Sequence, residues 1–129
     1  MQAEIIAIGD EILIGQTIDT NSSFIASQLN LNGISVRQKR VIADDADAIK
    51  EALDSIAPNT NLVFMTGGLG PTKDDITKTT LAEYFDMSLV LDPAALEDVK
   101  DIFRKFGKEL TELNRQQAYL PSGCKCISN

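Results

Sequence analysis

Leu62-Val63-Phe64-Met65-Thr66-Gly67-Gly68-Leu69-Gly70-Pro71 is an apolar run that breaks into glycine. Leu62 to Thr66 reads as a short buried strand, and the glycines and Pro71 behind it demand a loop. Thr72-Lys73-Asp74-Asp75 carries that loop into a helical segment, Ile76 to Phe85. Towards the N-terminus the same grammar recurs twice. Glu4 to Ile8 is an apolar stretch stopped by Gly9, and Ser35 to Ile42 is a further strand candidate. Asn21 to Asn32 reads as a helix, with Thr20 or Asn21 as N-cap, Ile25 and Leu29 on one face, and Gly33 as its stop. In Asp47 to Ala57 the apolar positions Ile49, Ala52, Leu53 and Ile56 keep helical spacing until Pro58. Strands alternating with crossovers of about ten residues or more imply parallel pairing and right-handed βαβ units. The expected fold is α/β, a three-layer α/β/α sandwich with a mostly parallel sheet.

Towards the C-terminus the pattern is mainly helical. Ser88 to Leu91 is a candidate strand, and Asp92-Pro93 supplies an N-cap and a first-turn proline for another helix. Leu96, Val99, Phe103, Phe106, Leu110 and Leu113 then recur at helical spacing, a stripe expected to pack in the core although Gly107 weakens its middle. After Pro121 the stretch Cys124-Lys125-Cys126-Ile127 looks strand-like. No repeat, linker or low-complexity tract interrupts residues 1–129, which read as a single domain.

The composition narrows the function classes. Twelve basic against nineteen acidic residues leave a net charge of −7, so a general binder of nucleic acid or anionic membrane is not expected. A polyanionic ligand would need a local remedy: backbone N–H groups, a few placed cations or a divalent metal. Neither a spanning apolar run nor a basic, apolar leader opens the sequence, and a cytoplasmic location is expected. Cys124 and Cys126 are too close for an unstrained disulfide and read as reduced thiols. Without histidine there is no Ser-His or Cys-His catalysis. Arg37, Lys39 and Arg40 form the one dense basic cluster, read as the protection of a sheet edge ahead of an anion site.

In an open parallel sheet ligands bind outside the carboxyl ends of the strands. Three loops are expected to meet there: Gly9-Asp10-Glu11 with the segment to Asp19 and Asn21, the turn holding Asp44 and Asp45, and the glycine loop from Thr66 to Asp75. Glycines let backbone N–H groups approach an anion, and the helix beginning near Ile76 adds its positive end. This loop is neither a Walker A motif nor a dinucleotide fingerprint. Carboxylates at all three strand ends beside such a loop would repel each other and their ligand unless a cation sat among them. Oxygen ligands suit Mg²⁺ or Mn²⁺.

At these residues the chain resembles the molybdopterin-binding (MogA/MoaB-like) domain family, in its CinA, or competence/damage-inducible, branch. The pieces that carry the resemblance are Gly9-Asp10-Glu11-Ile12-Leu13-Ile14-Gly15, Asp19-Thr20-Asn21-Ser22, Thr66 to Thr77, and Asn114-Arg115-Gln116-Gln117-Ala118-Tyr119-Leu120-Pro121. The resemblance implies a MogA-like fold and two activities: metal-dependent hydrolysis of ADP-ribose to AMP and ribose 5-phosphate, or binding of molybdopterin or a nucleotide without hydrolysis. It assigns Asp44 and Asp75 to catalysis, and Asn21, Ser22, Thr66, Gly67, Gly68, Leu69, Gly70 and Thr72 to the substrate. Asp10, Glu11, Asp19 and Asp74 become ligands of a divalent metal, Mg, Mn or Co. A homodimer is expected, and no nucleic-acid or membrane partner. Glycine- and proline-rich stretches normally follow Asn129 in this family, as does an amidase domain, so an incomplete domain is expected, with part of its pocket missing and a vestigial site as a further reading.

Overall fold

Strand β1, Gln2–Ile8, is buried at six of its seven positions, Ala3 to Ile8. A strand apolar on both faces belongs in the middle of a parallel sheet. In the computed structural model, which describes residues 1–68 and 76–128, β1 lies between β2, Ser35–Ile42, and β3, Leu62–Gly67, and both pair with it in parallel. Ile5 stands opposite Lys39 and Phe64, and Ile8 opposite Ile42 and Gly67. The β2 register shifts between Ala3 and Glu4, whose partners are Val36 and Gln38. The chain divides into two compact units, Met1–Gly70 and Pro71–Asn129.

Three helices belong to the first unit: α1, Asp10–Leu13; α2, Thr20–Leu31; and α3, Ala46–Asp54. Ala3 and Ile5 pack against Leu29, Ile25 and Ala26 of α2. Alternate positions of a strand point to opposite faces, and Glu4 meets Ala57 and Thr60, just beyond α3. Accordingly α2 and α3 cover opposite faces of the sheet, the layering that right-handed crossovers require. This is the mixed α/β arrangement expected from the sequence.

Local chemistry moves several boundaries. The N-cap of α2 is Asp19, whose carboxylate accepts the Ser22 N–H at 3.0 Å, rather than Thr20 or Asn21. Helix α3 stops at Asp54 instead of Ala57, because the Ser55 hydroxyl donates to Ala52 O while the Ala57 N–H turns to Glu4. The four-residue α1, in a segment read as loop, is too short to show a hydrophobic period.

The second unit runs through α4, Ile76–Tyr84; β4, Leu89–Leu91; α5, Pro93–Lys105; α6, Glu112–Arg115; a 3-10 turn, Gln116–Ala118; and β5, Tyr119–Pro121. Strands β4 and β5 pair antiparallel. Ala95, Leu96 and Ala118 form a small core with Leu91, Leu110 and Leu120 around it. Lys78 ties α4 to the chain's return by donating to Gln116 O and Tyr119 O at 2.9 and 3.1 Å. Asp92 and Pro93 begin α5 as expected, with the Asp92 carboxylate accepting the Ala95 N–H. The stripe expected in the core is divided instead. Helix α5 ends at Lys105, Gly107 takes a φ of +64°, and Phe106 and Leu113 are 74% and 50% exposed. Cys124-Lys125-Cys126-Ile127 forms no strand, and both thiols are free and exposed. Among the described residues no helix is long and apolar enough to cross a membrane.

Candidate functional site

The order β2-β1-β3 means that the chain leaves β1 to one side and returns to the other. Such a reversal opens a crevice at the carboxyl ends of the central strands, here those of β1 and β3.

Gly67 ends β3 with a φ of +90°, and a Cβ built on it would lie 2.0 Å from the Ile8 carbonyl oxygen. No side chain fits there, so the glycine allows the end of β3 to press against the end of β1. Gly68 follows with a φ of +66°, and Thr66 pairs with Ala7. On the other side of β1, the Gly9 N–H donates to Ile42 O at 3.1 Å, extending the ladder one residue beyond the strand. One residue further, the Asp10 carboxylate accepts the Asp44 N–H at 3.1 Å. Asp45 then caps α3, taking the Asp47 N–H at 2.9 Å.

The candidate residues therefore separate into groups. Asp10, Glu11, Asp44, Thr66, Gly67 and Gly68 lie at the carboxyl ends of the three strands. Glu11 folds back so closely that a Cβ on Gly9 would meet its Oε1 at 2.8 Å, which brings this carboxylate to the end of β1. Asp19, Asn21 and Ser22 sit at the start of α2, with Asn21 exposed and Ser22 buried, its hydroxyl without a hydrogen-bond partner among the described residues. Leu69, Gly70, Thr72, Asp74 and Asp75 lie outside the described residues. Of the expected metal ligands that the structure describes, Asp10 and Asp19 each hold a backbone N–H, while the Glu11 carboxylate holds none among the described residues. Among the described residues no group of three or more His, Cys, Asp or Glu is placed to hold a metal ion. The donor chemistry at the strand ends is nonetheless carboxylate oxygen, which fits a hard divalent cation such as Mg²⁺ or Mn²⁺.

One charged residue inside the apolar run of β1 escaped the sequence reading. Glu4 is 1% exposed and its carboxylate is fully engaged. Oε1 accepts from Thr60 Oγ1 at 2.7 Å and the Ala57 N–H at 3.0 Å, and Oε2 pairs with Arg40 at 2.9 Å. Burial pushes the Glu4 carboxyl up, and the bonds from Thr60, Ala57 and Arg40, with the Arg40 charge, outweigh it and hold its pKa below the ordinary glutamate value. Arg40, read with Arg37 and Lys39 as edge protection, is thus the partner of a buried acid, while β2 is an edge strand of the sheet among the described residues. Arginine and glutamate one strand apart would have been the signal, had the register been known. A cavity of about 330 Å³ opens beside Arg40, between β2 and α3. Its described lining includes none of the candidate site residues.

Fold and strand ends together define an α/β domain whose ligand crevice is built by loops after parallel strands. The sequence model described as "Probable molybdopterin binding domain" matches residues 4–127, and the chain belongs to that family. It is 46% identical, over its whole length, to a CinA-like protein of Flavobacterium psychrophilum, and 45% identical over 98% of its length to one of Cytophaga hutchinsonii. The chain spans 31% and 30% of those two relatives. Among solved structures, CinA of Thermoplasma acidophilum, itself described as of unknown function, superposes with a TM-score of 0.82 at 37% identity, covering 96% of this chain and 72% of the other. A MogA structure superposes at 0.57 with 19% identity, over 92% of this chain and 73% of that one, a likeness of fold alone.

Proposed function

We propose that this domain binds an adenine nucleotide and, with a divalent metal, hydrolyses ADP-ribose to AMP and ribose 5-phosphate. The observation that carries the reading is the meeting of three strand ends around Ile8, that of β3 pressed close by Gly67 and that of β2 tied to β1 through Asp10 and Asp44. The loop after Gly67 and Gly68 would supply N–H groups to the pyrophosphate. Asp44 or Asp75 would position the attacking water and take its proton. Water adds to one phosphorus, the P–O bond to the bridging oxygen breaks, and that oxygen leaves with the other phosphate. Glu11 and Asp74 would hold the metal, Mg, Mn or Co, which when bound offsets phosphate charge. Asn21 and Ser22 would face the substrate from the N-terminus of α2. We place the protein in the cytoplasm, as a homodimer, with no nucleic-acid or membrane partner.

The second reading, a module that binds molybdopterin or a nucleotide without hydrolysis, is favoured by the family's description. Turnover decides between them. ADP-ribose is incubated with Mg²⁺, Mn²⁺ or Co²⁺ and this chain, beside a longer version of it, and AMP is followed. AMP release that falls in Asp44→Ala supports hydrolysis. Folded protein that binds molybdopterin by calorimetry and releases no AMP in either length overturns it in favour of the module.

A further inference from the structure

We propose that Asp10 acts as a positioning residue, its carboxylate holding the Asp44 segment by the backbone rather than ligating a cation. This rests on the reading above only in giving Asp44 a role at the ligand. The first support is register. Ile8 pairs with Ile42, the Gly9 N–H reaches Ile42 O, and Asp10 Oδ1 then accepts the Asp44 N–H at 3.1 Å, across 34 positions of sequence. Asp10 therefore continues the β1–β2 ladder with a side chain where the backbone of β1 turns away into α1. From the far side, the same segment is set by Asp45, whose N–H donates to Ala43 O and whose carboxylate takes the Asp47 N–H. Residues 43–47 are thus held at both ends. An N–H given to an ionised carboxylate makes a stronger bond than one given to a neutral acceptor, and this one fixes the backbone from which the Asp44 carboxylate projects. Asp19 uses its carboxylate in the same way on Ser22.

Substitution separates the two roles, because asparagine keeps an oxygen that can accept the N–H and loses the charge a cation needs. In the ¹⁵N-labelled chain, solvent exchange of the Asp44 amide is measured by NMR for the unsubstituted protein, Asp10→Asn and Asp10→Ala, and Mn²⁺ affinity by calorimetry for the same three. We expect a protected Asp44 amide in the first two and exchange about tenfold faster or more in Asp10→Ala, as befits the loss of a hydrogen bond to a charged group. Mn²⁺ affinity in Asp10→Asn should fall by less than about tenfold, the smallest loss that removing a supporting hydrogen bond around a metal typically brings, because the asparagine oxygen still holds the Asp44 N–H. The proposal is overturned if the Asp44 amide of the unsubstituted chain is unprotected, a result that stands even if Asp10→Ala does not fold. It is also overturned if Asn and Ala weaken Mn²⁺ equally while the amide is unmoved. A protected amide that Asp10→Asn retains, in a chain that neither binds Mn²⁺ nor turns over ADP-ribose, supports the positioning role and rejects the hydrolase reading.

Discussion

The two units differ in the size of the side chains they bury. In the first, Ala3 to Ile8 are all buried, and the strand's one charged side chain has a partner at each carboxylate oxygen. In the second, the buried apolar side chains among the described residues are Ala82, Ala95, Leu96 and Ala118, none larger than leucine, although both units leave large apolar side chains exposed, Ile18, Phe24 and Leu31 in the first and Ile102, Phe106 and Leu113 in the second. Local opening follows the density of buried apolar contacts. The difference teaches where geometry is held hardest: at the end of β1, beside the ends of β2 and β3.

The strongest way to break this contrast is at Glu4. Glu4→Gln removes the charge opposite Arg40 and leaves a half-buried guanidinium, 19% exposed, without its counter-ion, though it still donates to the Ser55 hydroxyl. Losing one partner of a fully buried pair costs about 3–5 kcal/mol, and with Arg40 partly solvated the low end of that range is expected, read as a fall in the urea midpoint at neutral pH. The double variant Glu4→Leu, Arg40→Met should recover much of that loss. Acid gives the same answer without mutation. Because the folded-state pKa of Glu4 is below its unfolded value, its contribution is fully present above the unfolded pKa and disappears as pH falls through the folded one. Stability should therefore drop below about pH 4.3, the unperturbed glutamate range, and the Glu4→Gln chain should lose this part of its acid dependence.

A smaller effect, confined to the strand end, is expected from Gly67→Ala. The backbone there is in a conformation that disfavours a side chain by about 1–3 kcal/mol, and the new methyl would run into Ile8 O. The end of β3 must move to admit it. Amide shifts at Ile8 and Gly9 should change along with the stability loss, and ligand binding should weaken more than Asp92→Ala weakens it. Unchanged shifts would show that the close approach does not define the crevice.

What was legible in the sequence follows from the range of the interactions. The end of β1 and the start of β3 were readable because apolar runs and turn residues are local, and Asp92-Pro93 marked α5 because a cap and a first-turn proline act within one turn. Glu4 was absorbed into an apolar run, since its partner Arg40 comes 36 residues later and is identified only by pairing. The stripe from Leu96 to Leu113 misled for the converse reason: its spacing continued through Gly107 while the backbone did not. At the site, residue types and strand-end positions could be read, and the glycine at 67 even suggested why. That Asp10 and Asp19 are turned to backbone N–H groups could not, because a carboxylate looks the same in sequence whether it caps or ligates.

The least costly perturbation belongs to the second unit. Asp92→Ala deletes the acceptor of the Ala95 N–H at 2.9 Å, leaving Pro93 to preset the first turn of α5. Loss of such a cap costs about 0.5–2 kcal/mol, well under the Glu4 penalty. The sharper quantity is its distribution. If the units differ as their burial does, amide exchange in α5 and β4 should speed up in Asp92→Ala while exchange in β1 holds its rate. Equal acceleration in β1 would mean that both units open in one cooperative step, so the stability of the strand-end crevice would depend as much on α5 as on Glu4.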